Sequence, residues 1–338
     1  MDNPLAGLGL TTPLLAAPMA GGPTTPALVG AAARAGGLGF LAAGYLAPEA
    51  FAAQLALTRA QTSLFGVNLF APNPVAVDPA AYTAYRDRLR ADAERFGAEL
   101  PETPVEDDDW WRDKVDLLLA DPVPVVSFTF GLPDAAALAG LRRAGSLLVQ
   151  TVTSAEEGLH AVEAGVDAII VQAAAAGGHS ATFTPGRPLP VKPLPELLTE
   201  VNHAVGLPKI AAGGVVRPEQ VRELLTCCAR AVLVGTALLL TPEAGTSAAH
   251  RAALSEVDRG DTVLTRAFTG RPARALRNGF LDAHDAAAPL GYPALHHLTR
   301  PIRRAGEVEH VNLWAGTGYR EVQAKPAAEV LAGLAAHL

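Results

Sequence analysis

PKIAAGGVVRPEQVRELLTCCARAVLVGTALLL, residues 208–240, decides the fold. Two apolar runs, Pro208–Val215 and Ala231–Leu239, flank the segment PEQVRELL, which Pro218 opens. Both runs carry glycine toward their ends, and neither alternates. Continuous apolar runs mark parallel strands covered on both faces, so the unit reads strand, helix, strand. The same unit recurs toward the N-terminus. Strands are expected at Leu14–Met19, Leu38–Gly44, Phe65–Phe70, Val123–Gly131, Ser146–Val152 and Val166–Gln172. Eight such strands in roughly 240 residues suit a closed (β/α)8 TIM barrel, an α/β fold expected over residues 1–245.

Local signals agree with that reading. Thr25 before Pro26 is a favourable helix start, and Ser154 with Glu157 three residues on reads as a capping box. Two crossovers depart from the rhythm. The third holds two expected helices, Tyr82–Gly97 and Asp107–Pro122, around a polar stretch. The sixth begins AAAAGGHSATFTPGRPLP (173–190), too rich in glycine and proline for an ordinary helix entry, and is expected to be a shaped loop above the barrel. Beyond Leu240 the strand pattern stops. Residues 246–338 read as helices and loops, a small, mainly helical second domain whose last helix, Ala327–Leu338, is free to return to the barrel.

Composition narrows the function classes. Of 338 residues, 49% are hydrophobic and 18% charged, which excludes a disordered chain. The formal charge of -7 leaves no basic surplus for nucleic acid. The most apolar stretch, Ala231–Leu240, is about half the ~20 residues a membrane span needs. The N-terminus lacks the positive region of a signal peptide, so a cytoplasmic protein is expected. Cys227 and Cys228 are neighbours, which disfavours a disulfide, and both are expected in the core near a helix end. There is no HExxH motif, acidic cluster or spaced Cys/His set, so no metal is expected. GxGxxG is also missing, so any phosphate site belongs to the barrel type.

In a (β/α)8 barrel the C-terminal ends of the strands face the site. Those ends are Pro18–Gly22, Gly44, Asn68, Phe130, Thr151, Gln172 with the loop to His179, Gly213–Val215 and Gly235–Thr236. His179 alone among them titrates near neutrality, which makes it the candidate proton-exchanging residue. Gly213, Gly214 and Gly235 precede helix starts, where bare backbone amides can cradle a phosphate without lysine. Asn68 and Gln172 place amides in apolar strands. They serve either a ligand with mixed ring edges or the nearby loop backbone. His160, His203 and His250 read as structural. Phe130, Tyr292, His296, His297 and Trp314 are candidates for shaping the pocket.

LLAAPMAGG, AGGLGFLAAGY, GVNLF, VQAAAAGGHS, AAGGV and LVGTAL, in this order and spacing, resemble the nitronate monooxygenase family. YPALHHLTRPIR and VNLWAGTGY extend the likeness over nearly the whole chain. The resemblance implies an FMN-containing barrel that oxidises alkyl nitronates or nitroalkanes with O2. It implies flavin contacts at Ala17, Pro18, Met19, Asn68, Gln172, Gly177 and Gly178, phosphate contacts at Gly213, Gly214, Leu233, Val234, Gly235 and Thr236, and a catalytic His179. The family's usual Gly and Glu are replaced here by Ala173 and Ala175, and its Arg-Gly by Ser180-Ala181. An FMN-dependent NAD(P)H-using reductase of the enoyl-ACP or quinone reductase type is the main alternative. A flavin-free barrel isomerase or lyase and a non-catalytic flavin-binding protein are two others. Oligomeric state stays open between a monomer and a homodimer.

Overall fold

Parallel strands β1 (Leu14–Ala16), β2 (Leu38–Ala42), β3 (Gly66–Phe70), β4 (Val125–Thr129), β5 (Leu147–Val152) and β6 (Ala168–Gln172) run in sequence around the barrel. The short strand β7 (Gly178–His179) lies outside it, and β8 (Lys209–Ala212) and β9 (Ala231–Val234) complete the ring, with β9 paired to β1. This computed structural model describes residues 4–256, 258–336 and 338. The N-terminal Met1–Asn3 and His337 of the expected last helix lie outside the described residues.

Side chains alternate between two apolar layers, as the strand period of two requires. Leu15, Phe40, Val125, Val149, Ile170, Ile210 and Leu233 fill the barrel interior. Leu14, Leu41, Val126, Leu148, Ile169, Ala211 and Val232 pack outward beneath the helices. Both faces are therefore buried, which is why the strands read as continuous apolar runs.

The observed strands are shorter than those runs. Backbone φ angles of +120° at Gly213 and +75° at Gly214 end β8, and β9 gives way at Gly235 to a single 3-10 turn, Thr236–Leu238. Residues released from the strands make the upper rim. Thr25 Oγ1 accepts from the Leu28 amide at 3.1 Å, as expected of a helix cap. The capping box at Ser154 is only half formed. Ser154 Oγ accepts from the Glu157 amide at 3.2 Å, but the Glu157 carboxylate turns away and accepts from Thr153 N, Thr153 Oγ1, Thr182 Oγ1 and Phe183 N at 2.6 to 2.8 Å. A buried carboxylate needs several donors, and these fasten the loop after β6.

Beyond Leu240 the chain is not only helices and loops. Strands β10 (Thr262–Thr265) and β11 (Ala273–Leu276) pair antiparallel, and β11 also pairs with β7 through Ala273 opposite His179. Four-residue strands carrying Thr262, Thr265 and Arg274 give no clean alternation, so the sequence pattern conceals them. The third crossover also contributes here. Its first expected helix breaks at Leu89 into Pro79–Arg88 and Arg90–Phe96, and Tyr82, Tyr85 and Leu89 share a core with Phe268, Phe280, Leu295, Leu298 and Ile302. The helix Ala327–Leu334 packs in the barrel's outer layer beside Pro26–Arg34. Cys227 is exposed and Cys228 half-buried, with sulfurs 3.8 Å apart, so the expected core placement does not hold. The helix Pro218–Cys227 ends there, at the surface. Among the described residues, no helix is long and apolar enough to cross a membrane.

Candidate active site

A cavity of about 930 Å³ opens at the C-terminal ends of the barrel strands. The structure places every residue named above as a flavin or phosphate contact, together with His179, on its wall. Gly214 sits at the end of β8, and Gly235 and Thr236 follow β9. The backbone N–H groups of these three find no acceptor among the described residues. All three residues are half-buried on the cavity wall, and free main-chain donors at a helix or turn start suit an anion. At Gly214 the positive φ demands glycine, and a Cβ there would stand 3.0 Å from Thr317 Oγ1 and 3.1 Å from Ala175 Cβ.

Thr317 belongs to a segment that the strand-end reading did not reach. Ala315, Gly316 and Thr317 cross over the rim, where Gly316 N donates to Thr236 Oγ1 at 2.9 Å and Thr317 N to the Ala175 carbonyl at 3.1 Å. Gly177 permits this crossing, because a Cβ on it would lie 2.6 Å from the Ala315 carbonyl carbon and the Gly316 nitrogen. The glycines at 177 and 316 are the sequence signal that two backbones approach closely here.

The loop after β6 is pinned at both ends. Gln172 Nε2 donates to the His179 carbonyl at 3.2 Å, and Gln172 Oε1 accepts from the Ala181 amide at 2.8 Å. Gln172 thus serves the loop backbone, and through it the position of the imidazole. His179 Nε2 lies 2.9 Å from Thr269 Oγ1, which itself reaches the Arg271 carbonyl at 3.3 Å. With the hydroxyl proton given to that carbonyl, Nε2 carries the imidazole proton and donates to Thr269. Nδ1 then keeps its lone pair, and it has no partner among the described residues. Phe130, Tyr292 and Trp314 surround the ring, with centroids 5.3 to 6.0 Å away.

Burial first, and then the charges of Arg271 and Arg303, push the His179 imidazole down to about 3. No carboxylate stands beside it, since Ala175 occupies the place of the Glu that the resemblance would supply. The site therefore holds a neutral histidine at neutral pH. Asn68 is spent within the barrel: its Nδ2 donates to Ser127 Oγ and Thr129 Oγ1 at 3.0 Å each.

Residues away from the strand ends bring further groups that strand-end reasoning missed. Arg271 is fully buried, lies 4.2 Å from the Phe130 ring centre and donates to the Thr182 carbonyl. His250, read as structural, is buried on the cavity wall with Nε2 unpartnered. Tyr45, after β2, stacks on His296 at 4.3 Å and 5°. His296 and Trp314 line the cavity, as do Arg300, Arg303 and Arg304. His297 does not line it; its Nε2 pairs with Asp107 at 2.7 Å.

Fold and wall together define the class: a (β/α)8-barrel enzyme with its cavity at the C-terminal ends of the strands. The sequence model described as nitronate monooxygenase matches residues 2–336. A probable nitronate monooxygenase of Bacillus subtilis (strain 168) is 31% identical over 334 residues, covering 95% of this chain and 94% of its own. A second, from Staphylococcus saprophyticus, is 32% identical over 326 residues, covering 94% and 91%. The crystal structure of nitroalkane oxidase from Streptomyces ansochromogenes superposes with a TM-score of 0.93 at 41% identity, covering 99% of this chain and 98% of that one. FabK from Thermotoga maritima, at 24% identity and a TM-score of 0.75 over 99% and 95% of the two chains, shares the fold. The chain belongs to the nitronate monooxygenase family of flavin-dependent oxidoreductases.

Proposed function

We propose that the cavity holds FMN, with its phosphate on the amides of Gly214, Gly235 and Thr236, and that the enzyme oxidises alkyl nitronates with O2. The observation that carries this reading is one cavity wall with two properties: three unpartnered main-chain donors at β8 and β9, and a neutral imidazole with a free Nδ1 on the loop after β6. The residues fit the cofactor, because a lysine-free amide cradle suits a phosphate monoester. FMN, when bound, supplies the electron sink that the protein's own side chains lack.

The remaining work falls to the chain. His179, fixed by Thr269 and Gln172, offers Nδ1 to the α-proton of a nitroalkane, while an already formed nitronate needs no base and is only oriented. Phe130, Tyr292 and Trp314 exclude water around the ring. By the same reading, the functional cap consists of residues 246–326 with the helices Pro79–Arg88 and Arg90–Phe96. Anaerobic mixing tests the activity. A nitronate should bleach the flavin while NADH and NADPH do not, and bleaching by a nicotinamide alone would overturn the reading in favour of a reductase.

A further inference from the structure

The cavity wall carries three arginines and no aspartate, glutamate or lysine. Arg300, Arg303 and Arg304 share one face of the helix Ala294–Ala305, at the three- and four-residue spacing that aligns side chains. On a chain of net charge -7 they make a local surplus of cationic charge, in a cleft that concentrates its field. None of the three forms an ion pair with a described residue.

The protein leaves their charge unanswered. Arg303 donates only to neutral acceptors: Thr299 Oγ1 at 3.1 Å, Asn312 Oδ1 at 3.3 Å, and His296 through its Nδ1 at 3.3 Å and its carbonyl at 2.8 Å. Arg300 and Arg304 donate to no described residue. The nearby acids are engaged elsewhere, Asp107 with His297 and Asp109 with Lys114, each at 2.7 Å. Burial, with Arg300 and Arg304 as opposing neighbours, pushes Arg303 down to about 10. A helix C-terminus favours cations, which accounts for basic residues in the last turn. It does not account for all three lining the cavity.

The arginines approach the cavity from a different element than the amide cradle. His296, on the arginine helix, stacks on Tyr45 after β2, whereas the cradle lies at β8 and β9, with β1 between them in the barrel order. A nitronate brings one negative charge, fewer than three guanidinium groups can meet. Guanidinium forks match phosphate oxygens in particular.

We propose that Arg300, Arg303 and Arg304 form a second anion site at the mouth of the cavity, which binds the phosphate of a phosphate- or pyrophosphate-bearing ligand. Resting on the reading of the cavity as a nitronate-oxidising flavin site, this makes the preferred substrate a phosphorylated nitroalkane or its nitronate. A nucleotide reductant is the other source of the same chemistry.

The test uses the FMN-loaded enzyme titrated with pyrophosphate at low ionic strength, followed by calorimetry, with free-flavin fluorescence recorded throughout. Saturable binding without release of FMN is expected. Binding should weaken about tenfold or more in the R300Q/R304Q double variant and largely survive in R300K/R304K. Absence of binding, equal binding by R300Q/R304Q, or binding that expels FMN would each overturn the site.

Two further arms separate the sources. A KM for 2-nitroethyl phosphate below that for nitroethane, with the advantage lost in R300Q/R304Q, supports the phosphorylated nitroalkane. Arginine-dependent bleaching by NADPH keeps the anion site and overturns that substrate class. Nitroethane oxidation without pyrophosphate binding overturns this inference alone. Pyrophosphate binding without oxidation of any nitronate overturns the proposed function alone.

Discussion

The two sides of the cavity are built by opposite means. The barrel side, at the ends of β8 and β9, presents backbone: glycines, free amides and no charged side chain. The opposite side presents side chains: His179 held by Thr269, aromatic rings around it with Arg271 buried behind Phe130, and three wall arginines. Backbone recognition needs only a local conformation, which a few adjacent residues can specify. Side-chain chemistry needs groups far apart in sequence to meet. The first side should therefore tolerate any change that keeps its glycines, and the second should fail wherever a single contact is lost.

The sharpest break is expected on the side that presents side chains. Replacing His179 with Asn removes the imidazole nitrogen that the proposed function offers to an α-proton while leaving the cradle untouched. Nitroalkane turnover should fall by about 10²- to 10⁴-fold, with FMN still bound in the purified variant. Steady-state oxygen consumption beside the flavin absorbance checks both halves. Undiminished turnover would remove His179 from the chemistry.

On the barrel side, Gly214→Ala should do the reverse. Its φ of +75° and the contacts 3.0 Å and 3.1 Å away force the loop to shift, so FMN affinity should fall about tenfold or more. Turnover at saturating FMN should recover much of its value. Equilibrium dialysis gives the affinity, and a variant that binds FMN as the parent does would count against the cradle.

Thr269→Val is expected to have a smaller effect, because it leaves both His179 nitrogens in place but removes the hydroxyl that fixes the tautomer. A drop of about tenfold in kcat for neutral nitroalkanes, with little change for preformed nitronates, would separate proton abstraction from orientation. Equal losses for both substrates would mean that Thr269 only supports the loop.

The same contrast explains what could be read from the sequence. The strands were legible because both their faces are buried, and the cradle because Gly213, Gly214 and Gly235 are adjacent to the strands they terminate. His179 stood out as the only strand-end residue titrating near neutrality. Thr269 and the arginines of helix Ala294–Ala305 were not legible as cavity groups, nor Arg271 as a group beneath Phe130, since nothing local says that residues 269–304 fold back over residue 179. The signal that could have shown it was β11, but Arg274 interrupts its apolar pattern and its partner β7 is two residues long. Gln172 and Asn68 were identified as buried amides. Their partners prove to be loop backbone for one and the hydroxyls of β4 for the other.

The smallest expected effect concerns acid. His179 and His250 are pushed down to about 3 and about 4, chiefly by burial, against about 6.5 for an exposed imidazole. As pH falls below about 6.5, the unfolded chain takes up these protons before the folded one does. Stability then decreases with falling pH, down through each folded value. Asp109 works in the opposite sense. Burial raises its carboxyl to about 6, so between that value and the usual carboxylate range the folded state binds the extra proton and gains stability. His296 is pushed well down by burial in the same way, so three histidines against one aspartate leave a net loss, and thermal melting should occur at lower temperature at pH 5 than at pH 7. His250→Phe removes one titrating imidazole, whose Nε2 has no partner, together with its hydrogen bond to the Trp314 backbone. That variant should show a shallower dependence of Tm on pH than the parent. An unchanged slope would mean that His250 contributes nothing to the acid response.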